Sequence, residues 1–341
     1  MGRILTFGEI MMRLQPVGYK RFFQADLYES CFGGGEANVA VSLTGFGEDA
    51  AFLTKLPENA LGDACIAELK KRGVDTRFII RGGGRLGLYF SEKGASQRPG
   101  RIIYDRKNSS INEISSNEID FNALFSGVEW FHFSGITAAL SQNVLDTLLA
   151  LLKEAKKRRV TVSCDLNYRK KLWSKQKAGE VMSELIGYSD VLISNEEECK
   201  EVFGLEAQGS DIDAGVIDAA GYSALAEVLT DKFRNLKATA FTLRGSVSAS
   251  VNRWAGVLTT AEGGFRSKEY LVGIVDRVGA GDSFTAGLIY SLINKMHPQY
   301  AVDFAAAASC LKHTVEGDFN IASKGEVESL MNGDASGRVQ R

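Results

Sequence analysis

Short apolar runs and helix-periodic stretches take turns along the chain. "RILTFG" precedes "GEANVAVSLTGFG", "AAFLTKL" precedes "GDACIAELKKRGV", and "EWFHFSG" precedes "SQNVLDTLLALLKEAKKRR". The alternation continues through "VTVSCDLN", through "DVLISN" followed by "EEECKEVFG", and through "ATAFTLRG". Apolar runs of this kind suit strands buried on both faces, and the periodic segment after each suits a covering helix. The rhythm predicts βαβ units and therefore an α/β fold, a doubly wound, mostly parallel sheet flanked by helices.

Two stretches break the rhythm, residues 10–32 and residues 83–110. In the second, "GLYFSEKG" and "RIIYDRKNSS" read as strands joined by a turn, with no helix between them. A small antiparallel β-sheet lid on the doubly wound body accounts for both, placed to close over a ligand at the carboxyl ends of the strands. Residues 207–221, "AQGSDIDAGVIDAAG", read as a surface insertion, and the final "GDASGRVQR" as a frayed tail. The expected layout is one α/β domain over 1–325, with lid segments at about 10–32 and 83–110, and a C-terminal tail over 326–341.

Composition narrows the classes of function. The 341 residues are 45% hydrophobic and 24% charged, and the formal net charge of −2 leaves no basic footprint for nucleic acid. Five scattered cysteines without a C-x-x-C pair suggest reduced thiols, not a disulfide framework or a zinc site. His132, His297 and His313 stand apart from one another and read as packed or surface residues. No basic-then-apolar leader opens the sequence and no apolar run approaches a membrane span, so the expected location is the cytoplasm, with no membrane partner.

The chemistry concentrates in "DRVGAGDSFTAGLIY", residues 276–290. Gly279, Ala280 and Gly281 lead into Asp282 ahead of a helix expected over 283–295. Free N–H groups and the dipole at a helix start attract anions, and small residues let a phosphate come close. A carboxylate beside such a site needs its own task, and accepting the proton of an attacking hydroxyl fits. An aspartate there is also a good N-cap, and the glycines also make a tight turn.

The stretch resembles the C-terminal signature of the ribokinase-like sugar kinases, D-T-x-G-A-G-D-x-F, with Arg277 where threonine is common. "FGGGEANVAVSLTGFG" is similar to that family's N-terminal G-G-x-x-x-N-x-A signature, with Gly33, Gly34, Asn38 and Ala40 in place. The two lie in the right order, and the resemblance covers residues 1–325. It implies a ribokinase-like fold with a lid sheet over the sugar, phosphoryl transfer from ATP, and Asp282 as base beside the 279–281 turn. It also implies a homo-oligomer, a dimer through the lid sheet or larger. Competing phosphate motifs are missing, since the chain has no G-K dipeptide and "GAGDSF" lacks the last glycine of G-x-G-x-x-G.

Substrate choice points to two basic stretches. "RIIYDRKNSS" supplies Tyr104 and Arg106 from the lid, and "DLNYRKKLW" supplies Asn167 and Arg169 from a strand end of the body. Guanidinium groups pair with carboxylates through two parallel hydrogen bonds, which suits an acidic sugar, although an arginine in a basic stretch is often only solvated. Both stretches resemble the 2-keto-3-deoxygluconate kinase subgroup, with Lys170 where proline is frequent. The resemblance implies contacts to the sugar acid from Gly34, Asn38, Tyr89, Tyr104, Arg106, Arg169 and Asp318, and transfer to O6. Tyr89 can equally be a sheet aromatic packed on its neighbours.

For the nucleotide, the resemblance implies Asn167, Asn195, Thr242, Arg244 and Gly245, the last three from "TAFTLRG". For Mg2+ it implies Asn195 and Glu198 of "SNEEECKEVFG", acting through water. Acids at a helix N-terminus also serve the dipole alone. Two other readings stay open, a fructokinase- or ribokinase-type kinase of a neutral sugar and a non-catalytic sugar sensor on the same scaffold.

Overall fold

The computed structural model describes residues 2–207 and 219–333. Its elements begin with β1 (Arg3–Phe7), β2 (Met11–Pro16), β3 (Tyr28–Gly33), α1 (Gly35–Gly45), β4 (Ala50–Leu56), α2 (Ala60–Lys71) and β5 (Ile79–Arg81). Next come β6 (Gly87–Glu92), β7 (Arg101–Asp105), α3 (Phe121–Leu124), β8 (Val128–Ser134), α4 (Gly135–Ala138) and α5 (Gln142–Lys157). The chain continues with β9 (Thr161–Asp165), α6 (Lys175–Ile186), β10 (Val191–Ser194), α7 (Glu196–Phe203), α8 (Ala219–Lys232) and β11 (Ala238–Ser246). It closes with β12 (Val251–Thr260), β13 (Gly263–Arg266), β14 (Tyr270–Gly273), α9 (Ala280–Ile293), α10 (Pro298–Lys312) and α11 (Lys324–Met331).

The main sheet runs β13-β12-β11-β10-β9-β8-β1-β4-β5, with β14 also paired to β12. From β11 to β5 every pairing is parallel, and β12, β13 and β14 add antiparallel edges. Strand β4 is buried at every residue, as a parallel strand covered on both faces must be. One face carries Leu148 and Leu151 of α5, Val181 and Leu185 of α6, and Leu225 and Leu229 of α8. The other carries Val39 and Leu43 of α1, Leu69 of α2, Phe284 of α9 and Phe304 of α10. This is the doubly wound architecture that the hydrophobic rhythm predicts.

The lid is a separate sheet in the order β3-β2-β6-β7. Its strands lie at residues 11–33 and 87–105, and β2 pairs parallel to β6 where an all-antiparallel lid was expected. The reason is topological, because β2 and β6 both leave the body in the same direction and meet side by side.

Three boundaries differ from the sequence-based expectation. Helix α9 begins at Ala280, three residues earlier than 283, because Gly279 in the left-handed region (φ 82°) ends the preceding loop and starts the turn. Helix α11 crosses the expected 325/326 boundary and buries Val327 completely against the body. Of the insertion expected at 207–221, residues 208–218 lie outside the described residues, Ala207 is buried, and the end belongs to α8 with Tyr222 buried. Of the tail, 334–341 also lie outside them.

Candidate active site

Strands β8 and β4 leave β1 on opposite sides, so the strand order reverses at β1. Open α/β sheets form their ligand crevice at the carboxyl ends beside such a switch point. A cavity of about 1120 Å3 lies there, bounded by Glu9 after β1, Asp165 and Asn167 at the end of β9, Ser194 and Asn195 at the end of β10, and the lid above. That volume exceeds the usual single-ligand pocket and leaves room for two small molecules.

The turn at the head of α9 forms the floor. Gly279 needs its missing side chain twice over, since φ is 82° and a Cβ would lie 2.0 Å from the Asp318 carbonyl oxygen. Ser283 N–H is the first to close onto the turn, at Gly279 O (2.9 Å), so the Gly281 and Asp282 N–H groups precede the first intrahelical bonds. The cap of α9 is Gly279 itself, without a side-chain bond, which sets aside Asp282 as N-cap.

Asp282 faces another helix instead. Asn38 Nδ2 of α1 donates to Asp282 Oδ2 at 2.6 Å, while Asn38 Oδ1 accepts the Gly34 N–H at 3.2 Å. Gly34 must be small because a Cβ would sit 1.9 Å from the Glu9 carbonyl oxygen. Asp282 is half-buried, yet the surrounding protein removes enough water to push its carboxyl up to about 7. The Asn38 bond opposes that shift, the Glu36 and Asp318 charges reinforce it, and Arg169 opposes it. A carboxylate with this value and an oxygen left over can take a proton near neutral pH.

The cavity brings together all the residues expected at the site except Gly245, which lies further along β11 opposite Arg253. Thr242 and Arg244 line the cavity from the same strand, and Tyr104 lines it from β7, its ring 5.9 Å from that of Tyr89. Several side chains are engaged already. Tyr89 is buried with its hydroxyl on Asp318 Oδ2, and Asp318 Oδ1 receives Arg13 Nη1 at 3.0 Å. Arg106 meets Glu9 Oε2 through Nε at 2.7 Å. Arg169 Nη1 donates to the Tyr168 carbonyl (2.8 Å) and approaches Glu198 Oε1 (3.4 Å). Asn167 holds φ at 38°, and its N–H donates to Asp165 Oδ1 at 3.1 Å.

Asn195 caps α7, accepting the Glu198 N–H at 2.9 Å. Burial raises Glu198, with Arg169 working against it. Among the described residues no group of three or more His, Cys, Asp or Glu has the arrangement to hold a metal by itself. Such a donor set fits an ion that arrives hydrated and bound to phosphates.

Sequence reasoning left out Glu9, Arg13, Glu36, Asp165 and Arg277. Glu36 accepts from Ser134 N–H (2.9 Å) and Thr137 Oγ1 (2.6 Å), tying α1 to β8 and α4. Burial, then the neighbouring Glu198 and Asp282 charges, hold Asp165 well above the usual carboxylate range. The "D" of "DLN" and the "E" of "GGGEAN" lay inside motifs already singled out, so local signals existed for both. Arg277 sits on the cavity with Arg244 near enough to lower it, after the larger effect of burial. Arg277, two residues before the head of α9, and Arg244 on β11 thus both bring positive charge to the cavity.

Among the described residues no helix is long and apolar enough to cross a membrane. Residues 1–324 match the pfkB family carbohydrate kinase profile. The chain is 31% identical over 334 residues to the 2-dehydro-3-deoxygalactonokinase of Haloferax volcanii, covering 98% of each protein. It is 25% identical to the 2-dehydro-3-deoxygluconokinase of Thermoproteus tenax, over 96% of this chain and 94% of that one. The crystal structure of 2-dehydro-3-deoxygluconokinase from Thermotoga maritima superposes with a TM-score of 0.94 at 47% identity, covering 98% of this chain and all of that one. With residues 1–324 matched by the family and a relative 31% identical along nearly the whole chain, the chain is a member of the pfkB family of carbohydrate kinases.

Proposed function

We propose that this carbohydrate kinase transfers the terminal phosphoryl group of ATP to the O6 hydroxyl of 2-keto-3-deoxygluconate (2-dehydro-3-deoxygluconate). The observation that carries the reading is Asp282, held through one oxygen by Asn38 and set in the first turn of α9 beside N–H groups that no helical bond uses. The relatives support the choice of substrate, above all the Thermotoga maritima 2-dehydro-3-deoxygluconokinase at 47% identity.

Each side chain then has a task. Asp282 takes the proton of the attacking hydroxyl, and the 279–282 turn holds the charge on the transferring oxygens. Arg244 and Arg277 neutralise the nucleotide's phosphates, with Asn167, Asn195 and Thr242 beside it. Arg106 and Arg169 take the substrate carboxylate, and Tyr104 covers the sugar from the lid. Tyr89 and Asp318 act through their mutual bond, which fixes the lid wall. Magnesium supplies charge neutralisation on the phosphates, and Glu198 with Asn195 would hold it through water. Because the phosphoryl transition state is loose, positioning and charge account for most of the acceleration.

The test is ADP release by purified protein across a panel containing 2-keto-3-deoxygluconate, its galactonate epimer, gluconate, fructose and ribose, with mass and NMR identification of the product. The expected result is selective turnover of the keto-deoxy acid with phosphate on O6. Faster turnover of fructose or ribose would move the chain to the neutral-sugar kinases, and absence of turnover on every acceptor would leave the sensor reading.

A further inference from the structure

Glu9 is almost wholly buried in the seam between the body and the lid, and the reaction described above gives it no task. It follows β1, so the body's central sheet fixes its backbone. Its Oε2 meets both Nε and Nη2 of Arg106, which follows the lid strand β7. Its Oε1 accepts from Ser109 Oγ, and that oxygen in turn accepts from Asn112 Nδ2 at 2.9 Å. The Arg106 guanidinium also lies 5.5 Å from the Tyr104 ring centroid. One edge of the guanidinium is thereby occupied and its orientation fixed. Nη1 has no partner among the described residues, and Arg106 lines the cavity.

We propose that Glu9 is a positioning residue that sets the acid specificity of this site, by clamping the Nε/Nη2 edge of Arg106 so that the Nη1 edge is presented to a substrate carboxylate. The inference rests on the function proposed above. A free arginine at a lid edge samples many rotamers and loses that freedom on binding, whereas a clamped one binds at lower cost and in one direction. Glu9 also adds a negative charge behind the guanidinium. A carboxylate substrate therefore gains from Arg106 only when it approaches the open edge, which makes recognition directional as well as electrostatic. Both carboxylate oxygens of Glu9 are already engaged, Oε2 by Arg106 and Oε1 by Ser109, so its influence on a ligand runs through Arg106.

The experiment compares wild type with Glu9→Gln and Ser109→Ala, measuring kcat and KM for 2-keto-3-deoxygluconate and KM for ATP. Gln keeps the size and a bond to Ser109 but releases the charge-assisted pair. Glu9→Gln should raise KM for the acid about ten-fold or more, with kcat and the KM for ATP within about two-fold of wild type. Ser109→Ala should move KM for the acid the same way by a smaller factor, and it carries the test if Glu9→Gln does not fold. An unchanged KM for the acid in a folded variant, or equal losses in the acid KM, the ATP KM and kcat, would overturn the positioning role. Failure of wild type to phosphorylate the acid overturns the function proposed above and this role with it, so the two failures are told apart by the wild-type measurement alone.

Discussion

Asn38 and Asp282 stand 244 positions apart in the chain and meet at 2.6 Å, the amide of α1 donating to the carboxylate of α9. The bond does two things at once. It fixes the direction of Asp282 across the cavity floor, and it favours the charged form of a carboxyl that burial otherwise drives toward neutrality. The geometry leads to four expectations beyond the Glu9 experiment.

Asp282→Asn preserves size and a hydrogen-bonding group while removing the proton acceptor. Turnover should fall by roughly two to four orders of magnitude, with KM for the sugar acid little changed. Steady-state kinetics at saturating ATP measures this, and a variant within about three-fold of wild type would remove Asp282 from the role of base.

With Asp282 pushed up to about 7, turnover should climb as pH rises through that value and level off above it. Stability runs the opposite way. The native carboxyl keeps its proton to higher pH than the unfolded chain, whose ordinary value is 3.8, so its contribution to stability is present in acid and lost as pH rises toward about 7. Asp282→Asn should therefore melt higher than wild type at pH 8, with the gap closing by about pH 4. Thermal melts at the two pH values check the sign.

Asn38→Ala removes the bond that lowers the Asp282 carboxyl. The midpoint of the pH profile should move to the alkaline side, and turnover at neutral pH should fall about ten-fold. A profile that keeps its midpoint while activity drops would mean that Asn38 serves the fold and not the charge state of Asp282.

Arg13 is buried in the lid strand β2 and pairs with Asp276 Oδ2 at 2.8 Å and with Asp318 Oδ1 at 3.0 Å, both also buried. Removing one partner of such a cluster leaves uncompensated charge, so Arg13→Ala should cost about 3–5 kcal/mol in a urea titration. Arg77→Ala, which releases an exposed and solvent-screened cation from Asp75, should shift the midpoint of the same titration far less than Arg13→Ala does.

The features that could be read from the chain were those carried by short-range pattern. Strand and helix alternation announced the doubly wound sheet, and the small residues before Asp282 announced a tight turn at a helix start. Helix α9 nonetheless begins earlier than the pattern suggested, because a single left-handed glycine sets its start and periodicity cannot register that. The parallel pairing of β2 with β6 was invisible for a similar reason, since sequence spacing does not say which strands become neighbours.

Within the site, many residues stood out in the sequence, Glu9, Arg13, Glu36, Asp165 and Arg277 did not, and none of the pairings could be read there. Arg106 and Asp318 stood out as candidates, but their partners Glu9 and Arg13 lie 97 and 305 positions away. Only the assembled sheet and lid bring them together. Tyr89 was open between packing and ligand contact, and the structure gives it both a ring neighbour in Tyr104 and a bond to Asp318 at the cavity wall.

Asp276, which Arg13 grips, also accepts the N–H groups of Val278 (3.1 Å) and Gly317 (3.2 Å), so one lid arginine is anchored in the loop that leads directly to Gly279. The lid and the turn at the head of α9 are in this way a single mechanical part. A lid exchanged from another kinase to alter acceptor preference would have to bring its own counterpart of Arg13, or the chimera would disturb the very loop that leads into Gly279 and Asp282.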